Sequence, residues 1–325
     1  MAKKHIKEFQ ITETNKQDWL ENRLLDVTST EVSCLFDLNP FKSQFQLYNE
    51  KKEKFVESFD NSRMYWGRKL EKSIAEGCAE DQGWDIEPFN LYISNTKTRM
   101  GSSFDYKITS GDEVGIMEVK NVDLYSYKNK LNTAMGWKDD GEGAIVAPPV
   151  YELQLQHQME VADINWGCIV ALVGGNTMKI IKRDRDRAIG EMLRTQVHHF
   201  WDRIKLSMPP DIDYLKNSDY ILKNLCNHAE PDLGIVADED MDKRIDYYNT
   251  LRRSIKKDED ELKSLKAEIL NTSEGASRIV SKYGTIYCGM TKGSKGTYVS
   301  QEMVGTYLHP RKPFRQFKFT QPKGL

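Results

Sequence analysis

The stretch SFDYKITSGDEVGIMEVK, residues 103–120, places an aspartate one predicted strand before a Glu-x-Lys triplet. Side chains alternate between the two faces of a strand, so Glu118 and Lys120 point the same way while Val119 points to the opposite face. If the strand of Asp105 pairs beside that of Glu118, two carboxylates and an ammonium meet at one point. That arrangement is costly as structure alone, and a divalent cation would relieve it. The stretch therefore predicts a metal site, against the alternative of an exposed strand face with an ion pair.

The oxygen-rich side chains of this stretch point to a hard cation. Magnesium prefers carboxylate oxygens, takes few protein ligands and keeps water and phosphate oxygens around it. A cation held by Asp105 and Glu118 would polarise a phosphodiester, with one or two metals stabilising the attacking and leaving oxygens. Lys120 would orient or deprotonate the attacking water. We therefore expect Mg²⁺, with Mn²⁺ as a substitute, and phosphodiester cleavage as the chemistry.

Other residue clusters indicate no second cofactor. The five cysteines are scattered without close pairs, so neither an iron–sulfur cluster nor a zinc site is expected. Residues 174–176, Gly-Gly-Asn, form a turn that lacks the lysine of a nucleotide-binding loop, so no bound nucleotide is expected. His157 and the pair His198-His199 have no second matched cluster, which favours ordinary core or surface histidines.

The elements predicted around residues 103–120 indicate an α/β, or α+β, core in which helices flank a mixed central sheet. Short alternating or β-branched stretches, separated by Gly, Asp and Ser, predict strands, the first three as an antiparallel meander. Apolar residues at helical spacing predict helices before and after them. The predicted strands are residues 86–93, 101–108, 115–122, 166–173 and 178–182, and the predicted helices are residues 62–81, 150–162 and 185–206.

The segments on either side of this core are less regular. Residues 16–55 are predicted to be mostly helical, with helix starts at Asn15 and around Thr28-Ser29 and an interruption at Pro40. Residues 129–149 are polar and contain glycines, which predicts a partly mobile loop.

A change in composition after Pro209-Pro210 gives four predicted regions: a core (1–210), a linker (211–237), a helical arm (238–272) and a small basic β-rich region (273–325). The arm has apolar residues spaced mostly three and four apart, as in a coiled coil, with Asp258 interrupting the seam. Packing against the core and binding to a partner both remain open for this face. From Arg278 onward nine Lys or Arg stand against one acidic residue, which fits either a nucleic-acid surface or an ordinary small β element.

Composition bounds the class of protein. The chain has 325 residues, of which 39% are hydrophobic and 30% charged. No uninterrupted apolar run approaches the roughly 20 residues that cross a bilayer, and no apolar stretch of a secretory signal follows the basic start. We therefore expect a cytoplasmic protein without membrane association.

Five groups of residues occur in an order that resembles lambda-type exonucleases and YqaJ-like viral recombinases, within the restriction-endonuclease-like PD-(D/E)XK nuclease superfamily. The resemblance spans about residues 19–205 and implies a restriction-endonuclease-like core. Residues 104–106 are Phe-Asp-Tyr where the family often has Pro-Asp-Gly. That proline and glycine shape the backbone and do not bind metal, so we expect activity to survive. The matching residues are Trp19, Arg23, Thr28, Ser29, Thr30, Glu31 and Val32, then Tyr65, Trp66, Gly67 and Glu71, then residues 99–105, then Glu118, Val119 and Lys120, then Tyr151, Gln154 and Gln156.

The resemblance implies roles for the residues of the metal site. Asp105 and Glu118 would hold the metal with the backbone carbonyl of Val119, and Glu71 would contribute from the helix before them. Lys120 would serve the nucleophilic water. The alternative for Glu71 is a solvated helix face.

The resemblance also implies a role for the helix of residues 150–162. Gln154 would help to place the water or the metal shell, with Tyr151 nearby, since residues three apart share a helix face. Gln156 points away from that face and is the second choice. The alternative for Gln154 is an amide at the edge of the core.

In such enzymes an arginine receives the 5′-phosphate of the DNA end, and Arg23 matches it, with Thr28 and Thr30 beside it. A planar guanidinium fork fits a phosphate, and hydroxyls with a helix start favour an anion. The alternative for Arg23 is a surface salt bridge.

The activity implied by the resemblance is 5′-to-3′ digestion of double-stranded DNA ends, which leaves 3′ single strands for phage-type homologous recombination. The family implies a ring-shaped homotrimer around DNA and a single-strand annealing protein as partner. Two alternatives remain: an endonuclease or single-strand nuclease on the same core, and a non-catalytic DNA-end-binding recombination scaffold in which Glu118 and Lys120 merely pair.

Overall fold

The structure is a computed structural model that describes residues 5–54, 61–128, 135–139, 145–290 and 301. Most of the loop predicted at residues 129–149 and nearly all of the basic tail beyond Met290 lie outside these residues. The chain divides into two compact units, the first ending at Lys223 and the second beginning at Asn224. The division into four regions remains a prediction.

The helices and strands alternate along the first unit. The α-helices of the described residues in both units are α1 (Lys16–Leu24), α2 (Gln44–Glu53), α3 (Ser62–Gln82), α4 (Leu124–Lys128), α5 (Pro149–Ala162), α6 (Arg187–Lys205), α7 (Tyr214–Tyr220) and α8 (Glu239–Thr272). The strands are β1 (Ile6–Gln10), β2 (Val27–Thr28), β3 (Asp85–Pro88), β4 (Leu91–Asn95), β5 (Met100–Ser103), β6 (Tyr106–Ser110), β7 (Glu113–Val122), β8 (Lys138–Asp139), β9 (Ile145–Val146), β10 (Trp166–Val173), β11 (Thr177–Asp184), β12 (Arg278–Ser281) and β13 (Gly284–Tyr287).

A five-stranded sheet in the order β11-β10-β7-β6-β3 forms the centre of the first unit. It is mixed, because β10 runs parallel to β7 whereas the other neighbours pair antiparallel. Alternate residues of β7 join different apolar clusters. Met117 packs with Ile74 of α3, and Ile116 packs with Leu155 of α5. The predicted fold class, a mixed central sheet flanked by helices, is confirmed.

Two of the predicted strands are each divided between two sheets. Residues 86–93 form the end of β3 and the start of β4, and residues 101–108 form most of β5 and the start of β6. β3 and β6 belong to the central sheet, whereas β4 and β5 belong to a four-stranded sheet in the order β1-β4-β5-β2. Phe89 and Phe104 stack at this division with ring centroids 4.6 Å apart. The alternation of residues cannot reveal the break, because both halves have strand-like sequences and the stacked pair is distant in the chain.

The predicted helix start around Thr28-Ser29 is wrong. Thr28 ends the short strand β2, which pairs parallel to β5 with Thr28 opposite Gly101. A 3₁₀ helix follows at Val32–Phe36, and α2 begins only at Gln44, where the hydroxyl of Ser43 accepts the N–H of Gln46. Strand pairing therefore replaces the helix start predicted around Thr28-Ser29, and capping by Ser43 sets the start of α2 after Pro40.

The second unit is held together by local signals in its described residues. The side chain of Asp238 accepts the N–H of Met241 and so caps α8, whose first turn carries three acidic residues. Acidic groups at a helix N-terminus interact favourably with its macrodipole. No side chain on this 34-residue helix is buried. Strands β12 and β13 form a short antiparallel hairpin.

A bilayer crossing needs a long apolar helix, and none of the helices in the described ranges qualifies.

Candidate active site

Glu118 lies near the middle of β7 and is only 3% exposed. Its Oε1 accepts from Lys120 Nζ at 2.5 Å and from Gln154 Nε2 at 2.6 Å, and its Oε2 accepts from Gln158 Nε2 at 2.6 Å. Burying a carboxylate is unfavourable unless donors compensate for lost water. Three donors from a strand and a helix supply that compensation here.

Asp105 lies at the division between β5 and β6, beside Glu118 on the next strand. β6 and β7 pair antiparallel with Tyr106 opposite Met117, so the predicted pairing of the two strands is confirmed. Oδ2 of Asp105 accepts the backbone N–H of Val119 at 2.8 Å. Burial, and then repulsion from Glu118 and Glu71, raises the pKa of Asp105 well above its usual value. The charges of these carboxylates therefore oppose one another, and a bound cation would offset that repulsion.

Glu71 approaches this group from α3 without being fully buried. Its own pKa is raised by burial and by the charge of Glu118. Within the described ranges, no three His, Cys, Asp or Glu side chains lie close enough together to form a metal cage. Magnesium does not need such a cage, because it commonly binds one or two carboxylates and retains several waters. The all-oxygen donors of Asp105 and Glu118, with their mutual repulsion, fit that cation.

Lys120 lies on the same face of β7 as Glu118, as the alternation predicts. Its Nζ also donates to Gln154 Oε1 at 3.2 Å and lies 4.8 Å from the ring centroid of Tyr151. Burial acts to lower the pKa of Lys120, but the charges of Glu118 and Asp105 outweigh it and raise the pKa to about 12. The side chain is therefore a fixed ammonium at neutral pH.

Helix α5 presents alternate glutamines to different parts of the unit. Gln154 contacts Glu118 and Lys120, whereas Gln156 donates to the Asp184 carbonyl and accepts the N–H of Asp186. The structure thus does not bring Gln156 into the cluster. Gln158, which the sequence analysis missed, contacts Glu118 at 2.6 Å. Its spacing of four from Gln154 was the available signal, since such residues share a helix face.

The three residues predicted to bind a 5′-phosphate lie together at the start of the first unit. Arg23 Nη2 donates to Thr30 Oγ1 at 3.4 Å, and the hydroxyls of Thr28 and Thr30 are 3.2 Å apart. The guanidinium of Arg23 lies 4.8 Å from the ring centroid of Trp19.

The acidic residue Glu31 lies in the same group, and the sequence predicted no function for it. Its Oε2 accepts the N–H of Thr28 at 3.0 Å and the Thr28 hydroxyl at 2.8 Å, and it pairs with Lys51 Nζ at 2.8 Å. Burial acts to raise the pKa of Glu31, but Lys51, Lys42 and Arg23 lower it to about 2. Glu31 is therefore ionised at neutral pH and is paired mainly with Lys51, while Lys42 lies nearer to Glu50.

Strand β5 connects the threonine group with the carboxylates. The hydroxyl of Ser102 donates to Ser29 Oγ at 2.9 Å, next to Thr28. The carbonyl of Ser103 accepts from Gln158 at 3.3 Å, and its hydroxyl accepts from Trp19 at 3.0 Å. Both groups of predicted residues therefore share one rigid support.

Comparison with known proteins relates the part of the chain that holds these residues to one family. Residues 18–165 match the YqaJ-like viral recombinase domain. Over 270 residues, 82% of this chain and 80% of the relative, the sequence is 21% identical to the uncharacterized protein YqaJ of Bacillus subtilis (strain 168).

Solved structures of exonucleases are also similar to this chain. One is the alkaline exonuclease LHK-Exo from Laribacter hongkongensis, with 20% identity, a TM-score of 0.45, and coverage of 64% of this chain and 100% of that one. Another is a phage-related exonuclease from Haemophilus somnus 129PT, with 13% identity, a TM-score of 0.41, and coverage of 57% and 99%. The match over residues 18–165 agrees with the resemblance to YqaJ-like viral recombinases that the order of the motifs predicted.

Proposed function

We propose that the chain is a magnesium-dependent exonuclease that digests double-stranded DNA ends from 5′ to 3′ and leaves 3′ single strands for phage-type recombination. One observation carries the proposal. Glu118 and Lys120 are in contact on one face of β7, and the carboxylate of Asp105 bonds the backbone between them at Val119. Two carboxylates and an ammonium at one point can hold a divalent cation and stabilise charge on a phosphodiester, and this geometry supports such a site.

The metal would be held by Asp105, Glu118 and the backbone carbonyl of Val119, with Glu71 contributing from α3. When bound, Mg²⁺ or Mn²⁺ supplies Lewis-acid polarisation of the phosphodiester. Burial, and then the charges of neighbouring carboxylates, raise the pKa of Asp105 and of Glu71. These shifts support the assignment because a divalent cation would stabilise the ionised forms.

Lys120 orients the attacking water and stabilises the negative charge that develops on the phosphate. Its pKa of about 12 favours this role over deprotonation of the water, because an ammonium can donate protons but has no lone pair to accept one. Glu118 and Gln154 fix the position of Nζ by hydrogen bonds, and the Tyr151 ring lies beside it.

The polarity of digestion comes from Arg23, Thr28 and Thr30, which receive the 5′-phosphate. The guanidinium and two hydroxyls already lie together, and Lys51 and Lys42 offset the charge of Glu31 beside them. A terminal phosphate would therefore meet a net positive environment. Double-stranded ends are the substrate, and the resemblance supports a ring-shaped homotrimer and a single-strand annealing protein as partner.

Digestion of labelled linear duplexes tests this function. With Mg²⁺, the intact chain should release 5′-label first, should prefer a 5′-phosphate to a 5′-hydroxyl, and should stop in Ca²⁺ or chelator. A closed circular duplex is the control and should stay intact. Cleavage of the circle would instead identify an endonuclease, preference for unpaired strands a single-strand nuclease, and DNA-end binding without any cleavage a recombination scaffold.

A further inference from the structure

Gln158 stands out among the polar side chains around Glu118. It is 1% exposed, lies on the same face of α5 as Gln154 and donates to Oε2 of Glu118 at 2.6 Å. The two groups on the other oxygen, Lys120 and Gln154, already have roles in the proposed chemistry. Gln158 has none, although it contacts the same carboxylate.

The orientation of the Gln158 amide follows from its neighbours. Its nitrogen faces two acceptors, Glu118 Oε2 and the carbonyl of Ser103, so the NH₂ group must occupy that position. Its carbonyl oxygen is buried, and no hydrogen-bond partner for it is found among the described residues. Buried polar atoms are usually paired, and an unpaired one is unfavourable. An apolar side chain of equal size would avoid that cost, so packing alone does not account for a glutamine.

The support of Gln158 is rigid. Leu155 and Met159, which neighbour Gln158 on α5, are fully buried in the core. The amide therefore holds Glu118 from a fixed position. Partners that hydrogen-bond a metal-ligating carboxylate orient it, and they affect affinity without touching the metal.

We propose that Gln158 is a positioning residue that fixes the carboxylate plane of Glu118 for a divalent cation. This inference rests on the proposed function, since it assigns Gln158 to the same metal site. Its expected effect is on metal affinity, whereas a residue that only packs would affect stability.

The test compares Gln158→Met with Gln156→Met in the full chain. Both glutamines lie on α5 and are nearly buried, but only Gln158 contacts Glu118. We expect Gln158→Met to raise the half-saturating Mn²⁺ concentration about tenfold, measured directly by the electron paramagnetic resonance of free Mn²⁺. The Mg²⁺ concentration for half-maximal cleavage should rise in parallel. Gln156→Met should leave both concentrations unchanged.

Gln158→Asn is a second variant in case the methionine disturbs folding, because its amide is one methylene too short to reach Glu118. One outcome is that both Gln158 variants bind metal as Gln156→Met does, while the wild-type chain cleaves DNA. That result would overturn the positioning role and leave the proposed function intact. Conversely, weakened Mn²⁺ binding in these variants, with no DNA cleavage by the wild type, would support the positioning role and refute the nuclease.

Discussion

The two units of the molecule differ in how far their side chains are buried. The apolar residues found buried in the described chain all lie in the first unit, at or before Tyr220, whereas α8 in the second unit has none. Leu155 on α5 is 0% exposed and Leu262 on α8 is 71% exposed, although both occupy apolar positions of helices. Periodicity alone therefore predicts a helix but does not reveal whether its apolar face is covered.

The same contrast applies to charge. Glu118 is buried and held by three donors, whereas the acidic residues of α8 are exposed and include simple pairs such as Asp260 with Lys256 at 3.8 Å. Water screens the exposed charges, so they contribute little. Among the described residues, the buried carboxylate with three side-chain donors lies in the first unit.

The largest expected effect separates the units by activity. Glu118→Gln removes a charge from the proposed metal site, and losing several kcal/mol of transition-state stabilisation corresponds to at least about a thousand-fold slower Mg²⁺-dependent cleavage. Asp258→Asn makes the same chemical change on exposed α8 and should leave the rate unchanged. The initial rate of nucleotide release from a linear duplex measures both. Equal rates for Glu118→Gln and the wild type would remove the site assignment.

A smaller effect separates the units by stability. Leu155→Ala should lower the free energy of unfolding by about 2–5 kcal/mol, because it leaves a cavity in a packed core. Leu262→Ala should change it by less than about 0.5 kcal/mol, since no covering surface is lost and alanine favours helix. Tryptophan fluorescence in urea reports the first unit, because every tryptophan lies at or before Trp201, and circular dichroism reports α8. A large loss in helical signal on Leu262→Ala would mean that this face of α8 is covered in solution.

The third effect concerns buried and exposed histidines. Burial lowers the pKa of His157 to about 4 from its ordinary value of 6.5. The unfolded chain then binds a proton more readily than the folded one, so this residue destabilises the fold as pH falls from 6.5 towards 4. The difference is on the order of 3 kcal/mol at pH 4.

Replacing this buried histidine should therefore reduce the loss of unfolding free energy at acidic pH. The free energy of unfolding of His157→Met, relative to that of the wild type, should increase as pH falls from 7 to 4, as measured by urea titration at each pH. His228→Met, at an exposed position of the second unit, is the matched control and should follow the wild type. Parallel pH profiles for His157→Met and the wild type would show that His157 is accessible to protons in the folded state.

Much of the candidate site follows from local rules. Alternation along a strand predicted that Glu118 and Lys120 share one face of β7. Helical spacing predicted that Gln154 and Tyr151 share one face of α5. These relations depend only on backbone geometry, which a short segment carries within itself. The proposed metal chemistry also follows from the donor types, because carboxylate oxygens suit a hard cation wherever they meet.

What local rules missed depends on contacts between distant segments. The strands divide at Phe89 and Phe104, whose rings stack between the strand ends, and Asp105 lies where the sheets separate. In place of the helix start predicted at Thr28, this residue pairs with β5 and donates its N–H to the Glu31 carboxylate.

The amino-acid order alone thus predicted most element types and the shared faces of the candidate site, and it suggested the chemistry proposed for that site. Only the tertiary structure decided which oxygen each donor reaches and that Gln158, but not Gln156, contacts Glu118. It also decided that α5 has buried side chains whereas α8 has none. The physical reason is that burial and hydrogen-bond partners are properties of segments brought together in space, and no local period encodes them.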